Sequence, residues 1–251
     1  MSKRIAFGVV LFGVANVSLG CSRQSPTGPS VIECSTAALR GSYGSQRNGQ
    51  AAPGTALTSL GLATFDGLGH VIEQMTVSTS GVFSTLTNQR SAYTIGSDCT
   101  GTLTDDSGNR VAILTMVHGN DEVLGMSVEP GSNVALHFER IDGTCSNATL
   151  KGVYGFQRNG QTGPGVPLLA IGTVTFDGIG NATVTQTVDS AGTTRAPITV
   201  AGPYVVNGDC TATHSLAGGV IPMIVVHGGD EALGMSLTPG NNVVVHFERT
   251  H

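Results

Sequence analysis

The chain carries one pattern twice, and that constrains its fold more than any other feature. Cys34 through Cys99 returns without a gap as Cys145 through Cys210, a step of 111 residues with 27 of 66 aligned positions identical. Beyond the second cysteine the step falls to 109, where His118-Gly119-Asn120-Asp121-Glu122 recurs as His227-Gly228-Gly229-Asp230-Glu231 and His137-Phe138-Glu139-Arg140 as His246-Phe247-Glu248-Arg249. Solenoid repeats run at roughly 20 to 50 residues, so a unit this long is a duplicated domain. Residues 34–140 and 145–251 are the two copies, joined by Ile141-Asp142-Gly143-Thr144. Four residues leave no room for independent tumbling, which implies two units packed side by side, each closing on its own strands.

The first 20 residues have the form of an export signal: a basic start at Lys3-Arg4, an apolar run from Ile5 to Leu19, and small residues at Ser18 and Gly20. The apolar run is shorter than the roughly 20 residues a membrane helix needs. Ser18-Leu19-Gly20-Cys21 resembles a bacterial lipobox, with Ser18 where an aliphatic residue is usual, so the expectation is cleavage before Cys21 and lipidation of that cysteine. Residues 21–33, rich in Ser, Pro and Gly, then form a flexible tether. The implied location is the bacterial cell envelope, anchored by lipid at the outer membrane, periplasm or cell surface, with plain secretion as the alternative.

Five cysteines agree with this reading. Four form two equivalent pairs spaced 65 residues apart, and only Cys34–Cys99 with Cys145–Cys210 gives both copies the same bridge, leaving Cys21 over. Each bridge would stabilise its domain by roughly 4 kcal/mol on loop-closure grounds.

Composition favours strands. Glycine fills 36 of 251 positions and charged residues only 12%, and no stretch holds a helical period. Taking Lys3 and Arg4 from 12 basic residues leaves 10 against 17 acidic ones, a charge of −7, so no basic face exists for nucleic acid. Tryptophan is absent, which removes the commonest stacking platform for sugars and single strands. Strands are expected around Tyr43 and Leu62 and at Val71–Thr79, Ser91–Gly96, Thr100–Thr104, Arg110–Val117, Val123–Val128 and Asn133–Arg140. Asp66-Gly67 and Asp177-Gly178 read as hairpin tips, as do Asn48-Gly49 and Asn159-Gly160 inside the identical QRNGQ segments. The fold class is therefore all-β: two tandem antiparallel up-and-down barrels of about eight strands each.

Leu39-Arg40-Gly41-Ser42-Tyr43-Gly44, the Gly-x-x-Thr-Phe-Asp-Gly-x-Gly block and Tyr93 through Thr102 resemble the bacterial secreted domains grouped as allene-oxide-cyclase-barrel-like, among the calycin-like barrels. The resemblance implies a barrel able to hold an apolar molecule and assigns no catalytic residue, because its motifs lie in turns and strand starts.

Three constellations carry chemistry. His137 and Glu139, like His246 and Glu248, share one strand face opposite Phe138 and Phe247; if phenylalanine points into the barrel they are solvent-facing pairs, with a metal site or an acid/base couple as the alternative, although two ligands on one strand fall short of a zinc site and no third is identifiable. His118 and His227, with the Gly-x-Asp-Glu that follows, read as hairpin tips. Arg47 and Arg158 read first as solvated charges beside a turn, with capture of an anion at a barrel mouth as the alternative. No nucleophile elbow, zinc-protease motif or phosphate loop occurs. The expectation is a non-catalytic envelope lipoprotein without cofactor or metal, binding a small apolar ligand or a protein partner; the alternative is a cyclase or isomerase acting on a hydrophobic substrate.

Overall fold

Alternation of inward and outward side chains builds the strands, seen most plainly in Val71, Glu73, Met75 and Val77, which are buried while Ile72 and Gln74 face out. The computed structural model describes residues 33–216 and 219–251; the leader and Cys21 lie outside them. In the first copy β1 (Arg40–Ala52), β2 (Thr55–Asp66), β3 (His70–Thr79), β4 (Val82–Ile95), β5 (Thr100–Thr104), β6 (Arg110–Val117), β7 (Glu122–Ser127) and β8 (Asn133–Arg140) pair in chain order. β8 returns to β1 and closes the barrel.

The second copy repeats the plan with β9 (Lys151–Thr162), β10 (Pro167–Asp177), β11 (Asn181–Ser190), β12 (Thr193–Thr194), β13 (Ile198–Val206), β14 (Thr211–Leu216), β15 (Gly219–Val226), β16 (Glu231–Met235) and β17 (Asn241–Arg249). β17 pairs with β9 and β10 with β11, so this barrel also closes with eight strands, β12 being a two-residue spur on β11. Both are antiparallel and all-β, as the repeat and the turn spacing imply. The disulfides are Cys34–Cys99 and Cys145–Cys210, which indicates an oxidising, extracellular or periplasmic setting. Among the described residues no helix is long and apolar enough to cross a membrane.

One end of each barrel is plugged by rings. Phe65 meets Tyr43, Tyr93 and Phe138 edge-on at centroid distances of 5.2, 5.0 and 5.5 Å, and Phe176 meets Tyr154 and Tyr204 in the same way. The buried phenols are tied down: Tyr93 accepts from the Gly67 amide and donates to the Leu39 carbonyl, and Tyr204 does the same with Gly178 and Leu150. The repeated Leu-x-Gly-x-Tyr and Phe-Asp-Gly motifs are therefore the parts of this plug. Asp66 accepts the amides of Leu68 and His70 to shape the hairpin tip.

The QRNGQ segments are not hairpin tips. β1 and β9 run straight through them, and the turn comes later, at Pro53-Gly54 in the first copy. Glycine is needed there for close approach: a Cβ on Gly49, at φ +151°, would lie 2.1 Å from the Asn133 carbonyl on β8. The neighbouring asparagine joins the barrels, since Asn48 donates to the equivalent Asn159 at 2.8 Å.

The barrels meet along a seam in which β1 and β2 pack on β15, β16 and β17. Leu60, Ile224, Val226, Leu233 and Met235 form its apolar centre. Gln46 is buried there, its amide donating to the carbonyls of Gly234 and Val245. Outward-facing apolar side chains on one barrel thus find the other barrel instead of water.

Candidate functional site

β1 and β9 carry inward side chains at every second position from the aromatic plug toward the open mouth: Tyr43, Ser45 and Arg47 in the first barrel, Tyr154, Phe156 and Arg158 in the second. The two arginines thus occupy equivalent places, yet their surroundings differ. In the first barrel the Arg47 guanidinium pairs with Glu73, a carboxylate 3% exposed that also accepts from the Ser45 hydroxyl at 3.1 Å. The cation is neutralised from within.

Val184 and Phe156 take the places of Glu73 and Ser45 in the second barrel, so that anchor is missing. Among the described residues Arg158 donates only to the neutral Gln186, at 3.3 Å, and its Nε, like that of Arg47, is buried without a partner. No carboxylate pairs with it among the described residues. Burial pulls its pKa below the ordinary arginine value. Next to it stands His214, where the first barrel has Leu103. Its ring is 1% exposed, both nitrogens lack a partner, and burial holds its pKa down at about 4. A cavity of about 210 Å³ opens on Arg158 and Gln186, lined by the apolar Ile198, Val200, Leu216 and Ile221 and by the polar Ser236, Thr238 and Asn241. A narrow extension passes Phe156 and His214 toward the plug. The corresponding cavity of the first barrel is about 130 Å³ and holds the already paired Arg47.

Arg47 and Arg158 are therefore inward groups near the barrel mouths, not charges beside turns. His137 and Glu139 also depart from the solvent-facing expectation, while His246, its side chain 41% exposed, meets it in part. Phe138 and Phe247 do point inward, but the outer face of β8 looks onto the second barrel. Glu139 is 1% exposed, whereas Glu248 is exposed beside an outer groove that it shares with His246. The docking of the barrels breaks the equivalence of the two copies.

The seam gathers a chain of ionisable groups. Glu122 on β7 contacts His118 at 2.8 Å and His137 at 2.7 Å; His137 lies 3.1 Å from Glu139, and His246 lies 3.7 Å from Glu139 and 2.9 Å from Glu231. Glu231 also meets His227 at 3.2 Å. Burial lifts the Glu139 carboxyl to about 7 and depresses His137. Hydrogen bonds from His227 and His246 hold Glu231 well below the carboxylate range, and the Glu231 bond raises His227 to about 9 and His246 above its usual value. His118 and His227 do sit in turns, both at φ +49°, and the following aspartates hold Arg140 and Arg249 by ion pairs of 3.1 and 3.3 Å.

His214, Gln186 and Glu73 escape a reading that looks for motifs. The signal that finds them is the difference between copies: aligned positions 73/184, 75/186 and 103/214 change from Glu to Val, Met to Gln and Leu to His.

No family model matches the chain, and no curated protein matches it. Among solved structures it is similar to kievitone hydratase from Nectria haematococca, at 9% identity and a TM-score of 0.27 over 85% of this chain and 90% of that one. It is also similar to a protein of unknown function of the DUF3598 family from Nostoc punctiforme, at 13% identity and a TM-score of 0.24 over 89% of this chain and 100% of that one.

Proposed function

We propose that this is a non-catalytic envelope binding protein, tethered through Cys21, whose second barrel takes a small amphipathic anion with its carboxylate on Arg158 and its apolar part against Ile198, Val200 and Leu216. The observation that carries the reading is the half-buried Arg158, which has no carboxylate partner among the described residues and borders a cavity whose lining combines Ile198, Val200 and Leu216 with polar side chains. A partly desolvated ion without a counter-charge carries a cost that an incoming carboxylate reduces. His214 and Gln186 stand ready to hydrogen-bond the same head group. The cavity is smaller than a drug-sized site, which suits a short chain or a single ring. The first barrel, with Arg47 satisfied by Glu73, serves as a docking scaffold.

Calorimetric titration with octanoate and octanol tests this. A charge-assisted hydrogen bond is worth about 1.5–3 kcal/mol, so octanoate binds roughly 10- to 100-fold more tightly than octanol. Arg158→Met abolishes the preference and Arg47→Met keeps it. Equal affinity for acid and alcohol, or a preference that survives Arg158→Met, refutes the assignment.

A further inference from the structure

The seam between the barrels brings together Glu139 from β8 of the first copy with His227 and Glu231 from the second, and one ligand atom from each lies within 4.8 Å of the others. Glu139 is the informative member. Its side chain is 2% exposed and its Oε1 faces His137 and His246, yet its Oε2 is buried with no hydrogen-bond partner. A carboxylate oxygen in that position is costly unless something positive occupies the space before it. Neither arginine nor lysine supplies that charge: among the described residues, the ion-pair partners of Glu139 are the imidazoles of His137 and His246.

We propose that the seam is a binding site for a divalent transition-metal ion of the zinc class, with Glu139, His227 and Glu231 as protein ligands and the remaining position open to water. Two carboxylates and an imidazole form a donor set suited to such an ion. Bonds of about 2.0–2.2 Å require the ligand atoms to draw closer than 4.8 Å. The half-buried side chains of His227 and Glu231 have room to make that movement, while Glu139 is fixed in the seam. The outer contacts are already in place, because His137 and His246 contact the carboxylates of Glu139 and Glu231 and so orient them. Since the ligands come from both copies, the ion would tie the barrels together. This site is separate from the second barrel's cavity, and neither proposal depends on the other.

The test is calorimetric titration of the full chain with Zn2+ alone, paired with thermal unfolding in the presence and absence of the ion. The expected result is one ion per chain and a raised Tm, because an ion bound only by the native seam stabilises it by mass action. Glu139→Gln, nearly isosteric, and His227→Ala, in a half-exposed turn, each weaken binding by roughly tenfold or more. His70→Ala, which removes an exposed histidine paired with Asp66 at a hairpin tip, leaves binding unchanged. His227→Ala remains informative should Glu139→Gln perturb folding. Absence of binding to the wild-type chain, or binding that survives both seam substitutions, overturns the proposal.

Discussion

Replacing His214 by the leucine found at the equivalent position of the first barrel is expected to stabilise the protein, and more so in acid. The ring is fully buried with two unpartnered nitrogens, and leaving such groups unsatisfied costs about 1–3 kcal/mol. Loss of the ring contact with Phe176, at a centroid distance of 6.0 Å, offsets about 0.5–1 kcal/mol of that gain. The net expectation at pH 7 is a gain of about 1–2 kcal/mol. The acid effect follows from linkage. The folded pKa of about 4 lies below the ordinary histidine value of 6.5, so the unfolded chain binds the proton more readily between those values. Stability from this group is complete above pH 6.5 and is lost as pH falls toward 4. Between pH 7 and pH 5 the wild type therefore loses about 2 kcal/mol that His214→Leu keeps. Guanidinium titrations followed by far-UV circular dichroism at the two pH values measure both parts, and subtracting wild type from variant cancels the other titrating groups. A gap between the two proteins that does not widen at pH 5 refutes the claim that this imidazole is buried without a partner.

Gly160→Ala is expected to lower stability by about 3 kcal/mol, because a Cβ there, at φ +147°, would stand 1.9 Å from the Asn242 carbonyl; Gly163→Ala, at φ +79° with open space around it, costs only about 1 kcal/mol, and thermal midpoints of the two variants compare them directly. Cys21→Ser is expected to move the protein from the membrane to the soluble fraction of its host, as judged by fractionation and immunoblotting, and retention at the membrane contradicts the lipid anchor.

Much of the architecture was legible because it rests on local rules. Alternation, Asp-Gly hairpins and the 111-residue step define strands wherever one face is buried: Thr100–Thr104, Arg110–Val117 and Asn133–Arg140 occur at their expected bounds. The first part of β4, from Val82 to Arg90, was not legible, because nearly all its side chains are exposed and no alternation marks it. Asn48-Gly49 misleads for a related reason. The pair has the composition of a turn, but its glycine answers to a neighbouring strand 84 residues away in the chain, a contact that no local pattern encodes.

The sequence by itself determined the duplication, the all-β class, the equivalent disulfides and the placing of Phe138 and Phe247 on the strand face opposite His137 and His246, since each depends on side-chain period or on the symmetry between copies. Only the tertiary structure decided what lies outside the barrels and what lies unpaired within them. His137 and Glu139 do face outward as alternation requires, but outward on β8 means the seam, and docking of the second barrel turns a solvent-facing pair into a buried carboxylate among imidazoles. Arg47 and Arg158 sit in identical sequence segments, yet one is neutralised and the other is not, because the deciding residues, Glu73 and Val184, lie on a strand that local sequence does not link to them. Charge compensation depends on distance in space, and closing a barrel sets that distance.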